Sequence, residues 1–286
     1  MERITQNVYV ETKIRGCNPG IVFTEEGAVF IDTAQWVTYL IDMIKFAKER
    51  GPIKYLINTE GHIDHIFGNH WFAKECPVIG HEKLEDIFWT VAGDLDCYDY
   101  SIDVLERQDK PGLKLMPSRE EYIINKPQIT FSDKMSLKVG KHTFKLYHTP
   151  GHSESQIAVH IPEEKVVFVG DTVFSDCQIW LHSADIDPLI KSLHFIEELE
   201  DVEYIVPGHG PVVKKDYIKK QLAFIYEWIA AVADGIAKGW SQEECIKNIS
   251  FANHCPVDIG QDEMMEYIQR TNVIKCWKYV QGKNLW

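Results

Sequence analysis

No run in this 286-residue sequence approaches the roughly 18 consecutive apolar residues that a membrane-spanning helix needs, so no membrane partner is expected. The first ten residues, Met1 to Val10, lack the basic start and apolar stretch of a secretory signal. Lys/Arg-rich runs are missing too: 30 basic residues stand against 43 acidic ones, a formal charge of −13. A surface of that sign repels a phosphate backbone, so no nucleic-acid partner is expected. The seven cysteines (Cys17, Cys76, Cys97, Cys177, Cys245, Cys255 and Cys276) are odd in number, scattered and never spaced C-x-x-C. That pattern argues against a disulfide framework or a zinc ribbon and suits a cytoplasmic location. Ser153 and Ser155 follow a histidine, but no G-x-S-x-G elbow occurs, which sets aside that class of serine hydrolase.

What is present is ordinary globular material: 45% hydrophobic and 26% charged residues, enough for one main domain with an appendage. Strand-like runs cover Asn7–Lys13, Gly20–Phe23 and Ala28–Ile31. Val37, Leu40, Ile41, Ile44 and Ala47 recur at helical spacing until Gly51-Pro52 stops the helix. Ile53–Ile57 reads as a strand, Phe67–Lys74 and His81–Thr90 as helices, and Val78-Ile79 as a brief strand. Residues 93–119 show no steady period and are expected to be an inserted loop or lid. Five strands are expected at Gln128–Phe131, Met135–Val139, His142–His148, Gln156–Ile161 and Val166–Val169. Asp187 and Pro188 are the expected N-cap and first position of a helix ending at Leu199. After strand Tyr204–Val206, the spans Tyr217–Ala237, Gln242–Asn248 and Gln261–Tyr279 form a helical tail whose Phe224 and Trp228 read as packing residues.

Four places where a strand ends carry a candidate ligand: the loop from Glu60 to His65, then His152, Asp171 and His209. A lone histidine at any of them is more often a hydrogen-bonded core residue, so the argument lies in their combination. In Glu60-Gly61-His62-Ile63-Asp64-His65, extended alternation would send Glu60, His62 and Asp64 one way, with His65 at a helix entry. Imidazole and carboxylate hold zinc, iron or manganese while leaving positions open for water.

The series H-x-D-H, T-P-G-H-S, G-D-T and P-G-H-G, in this order, resembles the metallo-β-lactamase superfamily, which includes glyoxalase II, over roughly Val8 to Val213. The resemblance implies an α/β (α+β) fold, a four-layer αβ/βα sandwich with a catalytic domain over 1–213 and a helical C-terminal extension over 214–286 packed on it. It implies a centre of one or two divalent ions. His62 and His152 would serve the first, Asp64, His65 and His209 the second, and Asp171 would bridge. It further implies a hydrolase that uses a hydroxide on the metal against a small-molecule ester, thioester or lactone, with Asp64 as the catalytic residue that orients the nucleophile. Asp32 matches a position that buttresses ligands from behind. His81, Trp180 and His182 fall where substrate-pocket residues lie. A homodimer is compatible with this reading.

One position departs from the family pattern: Glu60 stands where the motif begins with histidine. Three readings are open. The carboxylate replaces the imidazole as a ligand and shifts preference toward manganese or iron. Alternatively, only the second ion binds tightly, or the site no longer catalyses. An iron-dependent oxidoreductase or dioxygenase and a non-catalytic metal-binding relative are the competing functions.

Overall fold

In a computed structural model, which describes residues 1–84, 97–258 and 264–282, alternation of side chains along each strand decides how the layers stack. Strands β1 (Glu2–Arg3), β2 (Val8–Val10), β3 (Gly20–Thr24) and β4 (Gly27–Ile31) form an antiparallel meander. Strands β5 (Ile53–Ile57), β6 (Val78–His81) and β7 (Ile129–Phe131) continue it in parallel, in chain order, to give one sheet of seven. The second sheet is built from β8 (Lys134–Val139), β9 (His142–His148), β10 (Ile157–Ile161), β11 (Val166–Phe168), β12 (Tyr204–Val206) and β13 (Val213–Lys214). Only β11 and β12 run parallel there.

Every second residue of the inner strands faces the opposite sheet. Val22, Val29, Ile31 and Ile57 meet Phe144, Leu146, Val159, Phe168 and Val206 in a core between the sheets. The alternate residues Ile21, Ala28, Phe30 and Leu56 pack outward against Leu40, Met43, Ile44 and Ala47 of α1 (Val37–Lys48). On the other side, Ala158, Val167 and Ile205 pack against Leu189, Leu193 and Ile196 of the helix that follows Asp185, and against Trp228 from the C-terminal part. The result is the expected four-layer sandwich with helices outside both sheets. Burial of each large apolar side chain contributes about 1.5–3 kcal/mol, so these three clusters hold the layers together.

Three sequence expectations are corrected. The stretch 93–119 is not an irregular loop over its described part: it forms α3 (Cys97–Gln108) and α4 (Lys110–Leu113), after the short α2 (Ile63–Ile66). The buried residues of α3, Ser101, Val104 and Leu105, are too few among charges to show a period, and Leu105 packs on Val37 and Phe67. Asp109 caps α4 by accepting from the Gly112 amide at 3.1 Å, which tolerates Pro111. The helix expected from His81 does not begin there, because His81 ends β6, and residues 85–90 lie outside the described part, as do 93–96.

Helix α5 (Ile186–Glu198) starts after Asp185, not at Asp187. Pro188 fits inside the first turn because the first four amides of a helix have no helical acceptor. The Asp187 carboxylate instead accepts from the Tyr279 hydroxyl at 2.8 Å. The chain ends in α6 (Tyr217–Ala237), α7 (Gln242–Asn248) and α8 (Met265–Val280). Trp228 is fully buried and Phe224 packs against the same cluster, as packing residues should. No helix of the described residues is long and apolar enough to cross a membrane.

Candidate metal centre

Parallel strands deliver their following loops to the same sheet edge, and both sheets do so here. The turn after β4 carries Asp32, and the chain after β5 runs through Asn58, Thr59 and Glu60, all fully or almost fully buried. His62 is extended at the N-cap of α2, so helical geometry begins at Ile63. The expected alternation of Glu60, His62 and Asp64 therefore stops after His62. Glu60 and His62 turn to one group, and Asp64 and His65, from the first helical turn, to another.

From the second sheet come His152, on the turn between β9 and β10, and Asp171, after β11. His209 follows β12. Two glycines permit the close approach. A Cβ on Gly151 would lie 2.3 Å from the Leu189 backbone, and one on Gly208 would lie 1.8 Å from Asp171 Oδ1.

The seven candidate ligands form two adjoining groups, Glu60–His62–His152–Asp171 and Asp64–His65–His209. Asp171 faces both: Oδ2 is 3.3 Å from His152 Nε2, while Oδ1 is 3.2 Å from His65 Nε2 and 3.3 Å from His209 Nε2. His209 Nε2 also lies 3.3 Å from Asp64 Oδ2, and His152 Nε2 lies 3.2 Å from His62 Nδ1. Glu60 sits at the join, with Oε2 2.7 Å from His62 Nδ1 and Oε1 3.4 Å from His65 Nε2.

The outer faces of the second group's imidazoles are fixed. Asp32 Oδ2 lies 2.9 Å from His65 Nδ1 and itself accepts from the Thr59 hydroxyl, while Oδ1 accepts from the Thr59 amide. Asp258 Oδ2 lies 2.7 Å from His209 Nδ1. Phe174 stacks on the His209 ring at 5.2 Å between centroids, with planes 3° apart.

Charge in this cluster follows from competition between burial and neighbours. Burial alone would lower His62, but Glu60 opposite raises it to about 9. Burial would raise Asp64, but His65 and His209 hold it down at about 2. Asp171 is held well below the usual carboxylate range by His209, His65 and His152, against its own burial. His65 and His209 are raised despite burial, chiefly by Asp171. His152 is lowered by burial, with Glu60 opposing.

The arrangement fits a divalent cation on its own chemistry. Both Glu60 oxygens are buried, and in the metal-free protein Oε2 is faced by His62 Nδ1 at 2.7 Å. A buried carboxylate in that condition is costly unless a cation serves it. Nitrogen and oxygen donors in groups of three and four suit zinc, iron or manganese.

The other expected residues are placed differently. His182 does approach the first group, with its ring 5.9 Å from that of His62, and burial pushes it down to about 3. Trp180 and Tyr267 adjoin it, at 5.8 and 6.4 Å. His81 is not brought into the centre: it is buried, bonds Ser132 O through Nε2 and stacks on His148 at 3.9 Å. Strand β6 ends one strand beyond β5, too far along the sheet edge to present it. His70, one helical turn beyond the cluster, stacks on Tyr122.

Cys17, Phe174, Tyr267 and Asp258 escaped the sequence reading, and no local pattern marks them. Cys17 lies within ligand reach of Asp32 and His65, but burial and Asp32 push its thiol well up, so it stays neutral beside the cluster. A cavity of about 440 Å³ elsewhere includes Phe174 and Cys177 but none of the seven ligands.

Residues 13–209 match the family model described as the metallo-beta-lactamase superfamily. The chain is 26% identical to a "Beta-lactamase-like protein 2 homolog" of Caenorhabditis elegans, over 71% of this chain and 62% of that one. It is 34% identical to "Acyl-coenzyme A thioesterase MBLAC2" of Gallus gallus, over 56% of this chain and 57% of that one. It thus spans little more than half the length of such relatives. A solved metallo-beta-lactamase family protein from Thermus thermophilus superposes with a TM-score of 0.67 at 15% identity, covering 98% of this chain and 95% of that one, a likeness of fold. The match over most of the domain and the shared architecture agree: this chain belongs to the metallo-beta-lactamase superfamily.

Proposed function

We propose that the chain is a two-ion metallohydrolase acting on small-molecule thioesters or comparably activated esters and lactones. The observation that carries this reading is Asp171, whose two oxygens face two separate ligand groups while the buried Glu60 lies between them. Glu60, His62, His152 and Asp171 would hold one ion, and Asp64, His65, His209 and Asp171 the other. Such ions lower the pKa of water and polarise a carbonyl oxygen.

The protein's own groups do the rest. Asp64, kept ionised, accepts a hydrogen bond from the attacking water at Oδ2 and fixes its direction. As the water oxygen bonds to the acyl carbon and gives up a proton to solvent, the carbon–sulfur bond breaks and the electron pair leaves on sulfur. A carboxylate engaged with a cation is a weak proton carrier, so the leaving group must depart without prior protonation. A thiolate, with a conjugate pKa near ~8.5, does so far more readily than an amine. The extra negative charge of Glu60 also weakens electrophilic activation, which favours reactive acyl groups over amides. The neutral His182 ring, Trp180 and Tyr267 offer an aromatic wall beside the first group for the substrate's apolar part. The thioesterase named among the relatives is consistent with this class.

The test is a screen of thioesters, aryl esters, lactones, phosphodiesters and β-lactams with zinc- and manganese-loaded protein, alongside metal analysis. Thioester turnover that His152→Ala and Asp171→Ala both abolish, with loss of metal, is expected. Turnover surviving both substitutions, or preference for an amide, refutes the proposal.

A further inference from the structure

The family match ends at His209, yet that imidazole is held by a carboxylate 49 residues farther along. Asp258 Oδ2 and His209 Nδ1 are 2.7 Å apart, and both side chains are buried. A carboxylate only accepts, so Nδ1 carries the proton and Nε2 is directed at Asp64 Oδ2 and Asp171 Oδ1. We propose that Asp258 is a positioning residue for the second ligand group, through which the C-terminal extension sets how tightly that group holds its ion. The inference rests on the two-ion reading above.

The segment bearing Asp258 is fastened well enough to do this. The Gln178 amide donates to Pro256 O at 2.9 Å, and its side-chain nitrogen donates to Phe251 O and Cys255 O, each at 2.9 Å. Gln269 of α8 donates to the Gln178 side-chain oxygen at 2.9 Å. Asn272, also on α8, ties Leu181 and Ile179. Gln178 thus joins the chain just after Phe174, the tail segment 251–258 and helix α8 into one support. Phe174 closes one face of the His209 ring while Asp258 fixes its edge.

The two ligand groups differ in this respect. In the second, His65 and His209 are each backed by a carboxylate, Asp32 and Asp258. In the first, His152 Nδ1 has no hydrogen-bond partner among the described residues. Carboxylate backing fixes the tautomer and raises imidazole basicity, and its loss typically weakens metal binding about 10–100-fold. Loss of Asp258 should therefore act on one ion and spare the other.

Metal-stripped wild type, Asp258→Ala and Asp258→Asn, each checked by circular dichroism, are titrated with zinc against a chromophoric chelator at pH 7. Asp258→Ala is expected to weaken one of two zinc ions about 10–100-fold and leave the other. Asp258→Asn keeps an acceptor oxygen and should show a smaller loss on the same ion; it carries the test if the alanine protein does not fold. Wild-type binding of both ions by the variants, or equal weakening of both, overturns the inference. A wild type that takes up no zinc refutes the metal-centre reading itself.

Discussion

Glu60→Gln separates a structural carboxylate from one that governs metal uptake. In the metal-free protein Glu60 is the chief group raising His62, which holds its proton up to about pH 9. An ion entering the first group at pH 7 must expel that proton. The cost is about 1.4 kcal/mol per pH unit, so the two units between pH 7 and about 9 amount to roughly 3 kcal/mol, or about a hundredfold in affinity. Glutamine keeps the shape but removes the charge, and burial then leaves His62 neutral at pH 7. The variant binds more weakly throughout, because a negative ligand is gone, but has no His62 proton to expel. His65 and His209 titrate in both proteins and largely cancel in a ratio. The wild-type to variant affinity ratio should therefore grow about a hundredfold from pH 7 to pH 9. Chelator competition with zinc or manganese at fixed ionic strength reads this ratio. A ratio that stays constant with pH refutes the coupling of Glu60 to His62.

Gly208→Ala places a Cβ 1.8 Å from Asp171 Oδ1, with the Gly170 and Asp171 backbone at 2.7 and 2.8 Å. Neither can give way without moving the shared ligand, so both ions should be lost in metal analysis, with about 1–3 kcal/mol of destabilisation by urea. Trp228→Ala empties a fully buried site beneath the second sheet and should cost about 3–5 kcal/mol in urea unfolding. Near-normal stability of that variant would show that the extension is not part of the core. Burial would raise Glu164, but Asn7, Thr5 and His142 hold it below its ordinary value. A depressed carboxylate contributes stability that is present above the unfolded value near ~4.3 and lost as pH falls through the folded one. Glu164→Gln should flatten the acid limb of the urea midpoint against pH, and an unchanged limb would refute the assignment.

Several features were legible in the sequence for local reasons. Alternating apolar residues in Gly27–Ile31, the 3.6-residue recurrence in α1 and the glycine-flanked ligands after strand ends act over a few residues. The strand and helix order followed from them, and so did the family. Which way each ligand points did not. Helix α2 begins at Ile63, and that divides Glu60 and His62 from Asp64 and His65. Helix α3 stayed hidden because its few buried residues stand among charges and gain meaning only against Val37 and Phe67. His81 carries the same side chain as the ligands but ends a strand one step away along the sheet edge. Asp258 was invisible in principle: an aspartate in an irregular segment becomes part of the centre only when Gln178 and α8 hold that segment against His209. Sequence thus determined which groups were offered to the sheet edge, because local periodicity builds strands and loops. Tertiary packing decided which met, because contacts between residues 49 apart depend on the whole fold.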